Sequence, residues 1–290
     1  MQRERWSTLY RLAQRLGQPQ SAHQRFSTAW IAAVFFWAVI CGQPVSWACL
    51  RENWPPELLG RRILPDQSTM SRRLRLPETQ QLLCELANAM RRRGRQPRIK
   101  IIDAKPLPIG GYSKDPDARW GRAAGAQGKG YKLYTIIDDD AVPLACVIKS
   151  MNVSEKKTAV ELMQNLTGSG VLLGDSCYDA SYLYDEAVTH NHLLIAPRAR
   201  PNAGLGHHPN SPYRLLSMVL LKSHLGKAIH NRRVTIERFF AHLTNFSGGL
   251  GPLPQWVRRL HRVTLWVQTK LLINAVRILK NRGKLPLAFA

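Results

Sequence analysis

Lys100-Ile-Ile-Asp103-Ala-Lys105-Pro106 and Val171-Leu-Leu-Gly-Asp175-Ser-Cys-Tyr-Asp179 each carry a short aliphatic run into a carboxylate. Neither run is long enough for a helix, and each is bounded by turn-forming residues, the pattern of a buried strand. Strand ends in α/β sheets are rigid and open on a crevice, so polar groups placed there are candidates for chemistry. The surrounding sequence extends the pattern. Tyr131 to Ile137 and Pro143 to Ile148 are apolar runs, and Asp138-Asp139-Asp140 between them reads as a hairpin turn. Thr158 to Leu166 and Ser181 to His190 have helical periodicity, and Leu193 to Ala196 reads as a further strand. This alternation predicts a mixed α/β sheet flanked by helices. Further helices are expected over 214–225, 231–246 and 256–280.

Upstream the texture is helical. From Arg3 to Leu16, apolar positions recur close to a helical period. Residues 27–41 are almost wholly apolar, but the run ends at Gly42, short of the ~20 residues a membrane span needs. A buried core helix is the expectation, with no membrane partner. In Ile63-Leu-Pro-Asp-Gln-Ser-Thr-Met-Ser-Arg-Arg-Leu-Arg75, Asp66 is placed to cap a short helix with Met70 and Leu74 on one face. Its Gln, Ser and Arg surface fits a recognition helix reading DNA through Arg72, Arg73 and Arg75, or equally an ordinary basic surface helix. The run 91–98 reads as a basic linker. The expected division is a helical DNA-binding region over 1–95 and a catalytic domain with C-terminal helices over 96–290.

Charge points to a polyanion. The 290 residues hold 42 Lys and Arg against 19 Asp and Glu, a formal net charge of +23. Residues 1–100 carry a net +11 and residues 213–290 a net +13, while 101–212 carry −1 and most of the acids. Basic flanks around an acid-bearing centre suit a DNA binder with a local metal site. Five scattered cysteines with no Cys-x-x-Cys pair give no disulfide framework or zinc knuckle. Glu237 is the only acid after Glu186 and lies among Arg232, Arg233 and Arg238. A carboxylate on a basic face is a liability for DNA unless it completes a metal site. A helical ion pair with Arg233 is the alternative, although it contributes only ~0.5 kcal/mol or less.

In chain order over residues 98–246, these features resemble DDE-type insertion-sequence transposases with an RNase H-like core, the group with a Tyr-Arg-Glu-Lys signature. Asp103 resembles the first acid. The stretch Trp120 to Leu144, containing Lys129-Gly-Tyr-Lys-Leu133 and Pro143-Leu144, is similar to the second and third strands with their hairpin. Asn152-Val-Ser-Glu155 resembles the turn leaving the third strand. Leu173-Gly-Asp-Ser-Cys-Tyr-Asp179 resembles the second-acid motif, and Arg233-x-x-x-Glu237-Arg-Phe-Phe the third-acid helix. The signature's Tyr and Lys are replaced here by His230 and Thr244, and Cys177 stands where Gly is usual.

The resemblance implies strand cleavage at insertion-sequence ends, followed by attack of the freed 3′-OH on target DNA. Asp103, Asp175 and Glu237 are then catalytic carboxylates holding two Mg²⁺ ions, with Mn²⁺ as a substitute, ~3.5–4 Å apart. Asp103 would bridge the ions. Arg233, His230 and Lys105 would contact phosphate, with Arg238 adding to the basic face. The expected partners are the element's terminal inverted repeats, target DNA and a second copy of the chain, in the bacterial nucleoid. Two rival functions remain: a nuclease of the same fold that does not join ends, and a catalytically impaired derivative that regulates transposition.

Other polar residues have simpler readings. Asp179 is placed to cap the helix from Ser181, and His207-His208 lie in a Gly/Pro/Asn loop without further metal ligands nearby. Ser176 lacks the Gly-x-Ser-x-Gly frame of a hydrolase nucleophile.

Overall fold

The computed structural model describes residues 2–18, 24–91, 97–123, 125–205, 209–246 and 249–283. Most of the basic run at 91–98 and the His207-His208 pair lie outside them. The chain forms two compact units, residues 94–242 and residues 1–93 together with 243–290. The residues from 243 onward group with the helical region.

In the helical unit, α1 (Gln2–Leu16) buries Trp6, Leu9, Tyr10, Leu12 and Ala13 on one side, as its period predicts. The apolar run becomes α2 (Thr28–Cys41), buried from Thr28 to Ile40. Ser27 accepts a hydrogen bond from Trp30 N–H at its start, and Gly42 ends it at φ 66. That left-handed turn suits glycine, which has no Cβ to clash. No helix among the described residues is long and apolar enough to cross a membrane. Short helices α3 (Val45–Ala48) and α4 (Pro56–Leu59) lead to α5 (Gln67–Arg73), which Asp66 caps by accepting from Thr69 N–H. Helix α6 (Pro77–Arg91) follows, and the long α12 (Leu260–Asn281) packs on α1, α2 and α6.

Trp6, Trp30, Trp37 and Trp54 form a ring cluster with Tyr10. Each indole N–H donates to a backbone carbonyl, of Ala33, Ile63, Asn53 and Ala48 respectively, so the polar edge of each of these four rings is satisfied. Lys270 is buried, donates to Val39 O at 2.6 Å, and lies over the Trp266 ring; burial pulls its pKa down to about 8.

The second unit is built on a six-stranded sheet in the order β2-β3-β1-β5-β6, with β4 also on β3. Its strands are β1 (Ile99–Pro108), β2 (Arg119–Ala123), β3 (Ala126–Asp138), β4 (Pro143–Ser150), β5 (Gly170–Leu173) and β6 (His192–Ile195). Strand β3 runs antiparallel to β1, β2 and β4, while β1, β5 and β6 are parallel neighbours. This order and polarity are those of an RNase H-like core. Helices α7 (Glu155–Met163) and α8 (Ser181–Thr189) cover one face, where Ile102, Tyr134, Ile136, Leu172 and Leu194 form the core.

Strand β2 has no counterpart in the apolar runs. Its residues Arg119-Trp-Gly-Arg-Ala123 are mostly exposed, so no apolar face marks it. Gly121 lets it lie close to the end of β4: a Cβ there would stand 2.5 Å from Met151 O. The triple aspartate is a turn as expected, with Asp138 accepting from Val142 N–H and Ala141 at φ 63. The unit continues through α9 (Pro212–Lys222) and α10 (His224–Asn231), and α11 (Val234–Asn245) begins within it. The helix expected over 231–246 is α11, which starts at Val234 after a turn at Arg232 and Arg233.

Candidate active site

Pairing of β1 with β5 brings the first two acids to the same edge of the site. Ile101 stands opposite Leu173, and Asp103 and Asp175 each lie two residues further along parallel chains. Because side chains alternate along a strand, Asp103 is on the face opposite Ile102 and Ala104, away from α7 and α8. The Asp103 side chain is 20% exposed. Its Oδ1 accepts from Ala104 N–H at 2.7 Å. Burial pushes its pKa up to about 6, and the negative charges of Asp175 and Glu155 push the same way. The Ala104 N–H and the Arg233 guanidinium offset this only in part. Asp175 follows β5 and caps the 3₁₀ turn Ser176–Tyr178 by accepting from Cys177 N–H at 2.9 Å.

The third acid lies in the first turn of α11, where the helix dipole favours a carboxylate. Glu237 is engaged by Arg233 Nη2 at 2.5 Å, and Nη1 of the same guanidinium is 3.6 Å from Asp103 Oδ2. Arg233 is held just before α11, its N–H donating to His230 O. The ion-pair alternative for Glu237 is thus realised, and the pair also reaches Asp103. The three expected carboxylates are not assembled as one ligand set. Among the described residues, no three His, Cys, Asp or Glu side chains are grouped to hold a metal.

The donor chemistry nevertheless fits a hard divalent cation. Asp103 and Asp175 offer oxygens, the ligands Mg²⁺ takes. Burial first, and the charges of Asp175 and Glu155 after it, disfavour the ionised form of Asp103, a penalty that a bound cation relieves.

Around this core, His230 Nε2 contacts Gly174 O at 3.1 Å, next to Asp175. Lys105 is half-buried with Nζ 5.8 Å from the centre of the Phe240 ring, and burial lowers its pKa. Arg238 is exposed. Glu155 is a neighbour not assigned to the site from sequence. It pairs with Lys132 at 2.7 Å, and its charge is felt by Asp103. Its only sequence signal was the place beside the Asn152 turn.

Two side chains depart from their expected roles. Arg73 is turned inward, donating to Phe26 O, Gln24 Oε1 and Thr28 Oγ1, so it is spent on the fold rather than offered to DNA. Arg72 and Arg75 are exposed. Asp179 does not cap α8, whose N-cap is Ala180. It binds Arg214 through both oxygens, at 2.7 and 2.8 Å, and accepts from Ala199 N–H. Long basic side chains have several places to go, and sequence spacing does not choose among them.

None of the curated proteins matches this chain. Among solved structures, the chain is similar to a piggyBac transposase synaptic complex with hairpin DNA, determined by cryo-EM. The identity is 10% and the TM-score 0.45, over 97% of this chain and 74% of that one. The transposase DDE domain family matches residues 94–265. That span contains the sheet, both acids beside β1 and β5, and the Arg233–Glu237 turn. With more than half its length matched, the chain belongs to the transposase DDE domain family.

Proposed function

We propose that this transposase cuts DNA at the ends of an insertion sequence and joins the freed 3′ ends to target DNA. One observation carries the reading: a part-buried carboxylate, Asp103, whose neighbours are Asp175 just past the adjoining strand and an arginine already shared with Glu237. Divalent ions, when bound, supply the charge that activates a water or hydroxyl and stabilises the leaving oxygen. Asp103 and Asp175 would hold them, and Glu237 would add its oxygens where Arg233 is displaced from it.

The chain's own residues do the rest. A phosphate entering the site competes for the Arg233 guanidinium, because a phosphate can take both of its N–H groups at once. His230, steadied by Gly174 O, and Lys105, set against Phe240, orient the strand from either side. Exposed Arg238, Arg72 and Arg75 add sequence-independent attraction. The partners in this reading are the terminal inverted repeats and target DNA. A homodimer is the acting assembly, and the bacterial nucleoid is its place of work.

The test is incubation of the full chain with duplexes carrying the element's own ends, with and without Mg²⁺ or Mn²⁺. Metal-dependent release of a 3′-OH and its joining to a second duplex supports the proposal. Cleavage without joining makes the chain a nuclease. Tight end binding without cleavage in either metal makes it a regulator, a reading that the Arg233–Glu237 pair favours if the pair never opens.

A further inference from the structure

The helical unit contains a cleft of about 170 Å³ between α5 and the chain leading into α12. Gln67 and Ser71 on one face of α5, with Arg75 in the turn that follows it, form one wall. Trp256, His261 and Arg262 form the other, over a floor that includes Phe35 and Trp266. The floor is buried, whereas Trp256 is 44% exposed and Arg75, His261 and Arg262 are exposed. Among the described residues lining the cleft there is no acid. Arg75 Nη2 donates to Ser71 Oγ at 3.3 Å, which steadies the guanidinium along that wall.

This geometry changes what α5 can do. A recognition helix enters the major groove because its outer face projects freely from the protein. Here Gln67 and Ser71 line a cleft whose other wall belongs to the same unit, so this face of α5 does not project freely toward a duplex groove. The contents suit something flat and anionic. An aromatic side chain at the mouth provides a stacking surface that any base can use, and arginines at the rim meet a phosphate.

We propose that this cleft takes one unstacked nucleotide of a DNA strand, its base on Trp256 and its phosphate against Arg75 and Arg262. The proposal rests on the DNA-processing reading above but concerns the helical unit rather than the catalytic acids. Gln67 and Ser71 supply donor and acceptor groups to the base edge. The strand therefore meets the helical unit where it has left the double helix, as it does at an end, a gap or a distorted step.

The test uses the full chain without divalent metal and two probes, a short oligothymidylate and a blunt duplex, with binding read by fluorescence anisotropy and by tryptophan quenching. Trp256→Ala should weaken oligothymidylate binding by about tenfold and leave duplex binding within a factor of about two, since the phosphate contacts remain. Trp256→Phe keeps an aromatic face and should restore most of the loss. Ser71→Leu, which fills the cleft without removing an aromatic group, should weaken the single strand in the same way. Equal single-strand affinity in wild type, Trp256→Ala and Ser71→Leu overturns the cleft and leaves the transposase reading standing. Failure of the wild-type chain to bind either probe overturns both.

Discussion

Arg233 grips Glu237 at 2.5 Å across one turn of backbone, and the other arm of its guanidinium lies 3.6 Å from Asp103. The positive charge between these two carboxylates is therefore supplied by the chain itself. Glu237 is more than half exposed, so the pair adds little stability. Its consequence lies in competition: any cation that uses Asp103 and Glu237 together must displace the guanidinium.

Removing that competitor should favour metal and harm chemistry. Arg233→Ala is expected to bind Mn²⁺ severalfold more tightly than wild type in calorimetry without DNA, while end cleavage falls. Unchanged Mn²⁺ affinity would mean that Arg233 does not guard the acids.

Asp103 makes the stability of the metal-free protein depend on pH. The folded carboxyl gives up its proton near pH 6, whereas the ordinary value is 3.8. Between those values the folded state holds the extra proton, so stability falls as pH rises and levels off above about 6. The full effect is at most about 3 kcal/mol, at about 1.4 kcal/mol per pH unit. Asp103→Asn should lack this fall, melt higher than wild type at pH 7 in chelator, and be inactive while still binding DNA. Parallel melting profiles from pH 4 to 7 would remove the basis for a strained carboxylate at this position.

Asp179 belongs to the fold, and its loss should show as instability rather than as altered metal binding. Burial raises its pKa, but Arg214 and the Ala199 N–H more than offset this, so the net shift is downward. Its contribution is therefore present at neutral pH and lost as pH falls through the lowered value. Arg214→Ala leaves a buried carboxylate without its charge partner and should cost about 3–5 kcal/mol in denaturant unfolding. A loss below about 1 kcal/mol would show that the pair is not needed for folding.

The hairpin turn provides a gain-of-stability check. Ala141 sits at φ 63, where a Cβ is unfavourable by about 1 kcal/mol. Ala141→Gly should raise the melting temperature despite the greater freedom it gives the unfolded chain. A lower melting temperature would argue against a left-handed residue closing β3 onto β4.

Sequence alone carried the alternation of strands and helices from β1 to β6 except for the exposed β2, the buried character of α2, the capping role of Asp66, the turn at Asp138 and the three acids of interest. These are local properties, set by side-chain periodicity, the backbone preferences of Gly and Asp, and the rarity of acid in a basic region. Tertiary structure alone decided that β1 lies beside β5 and so sets Asp103 next to Asp175. It also decided that Arg73 turns inward, that Arg214 claims Asp179, that Arg233 stands between Asp103 and Glu237, and that α5 faces a cleft. The reason is reach. An arginine can serve any acid or carbonyl within several ångströms, and only the packing of chain segments remote in sequence determines which one is there.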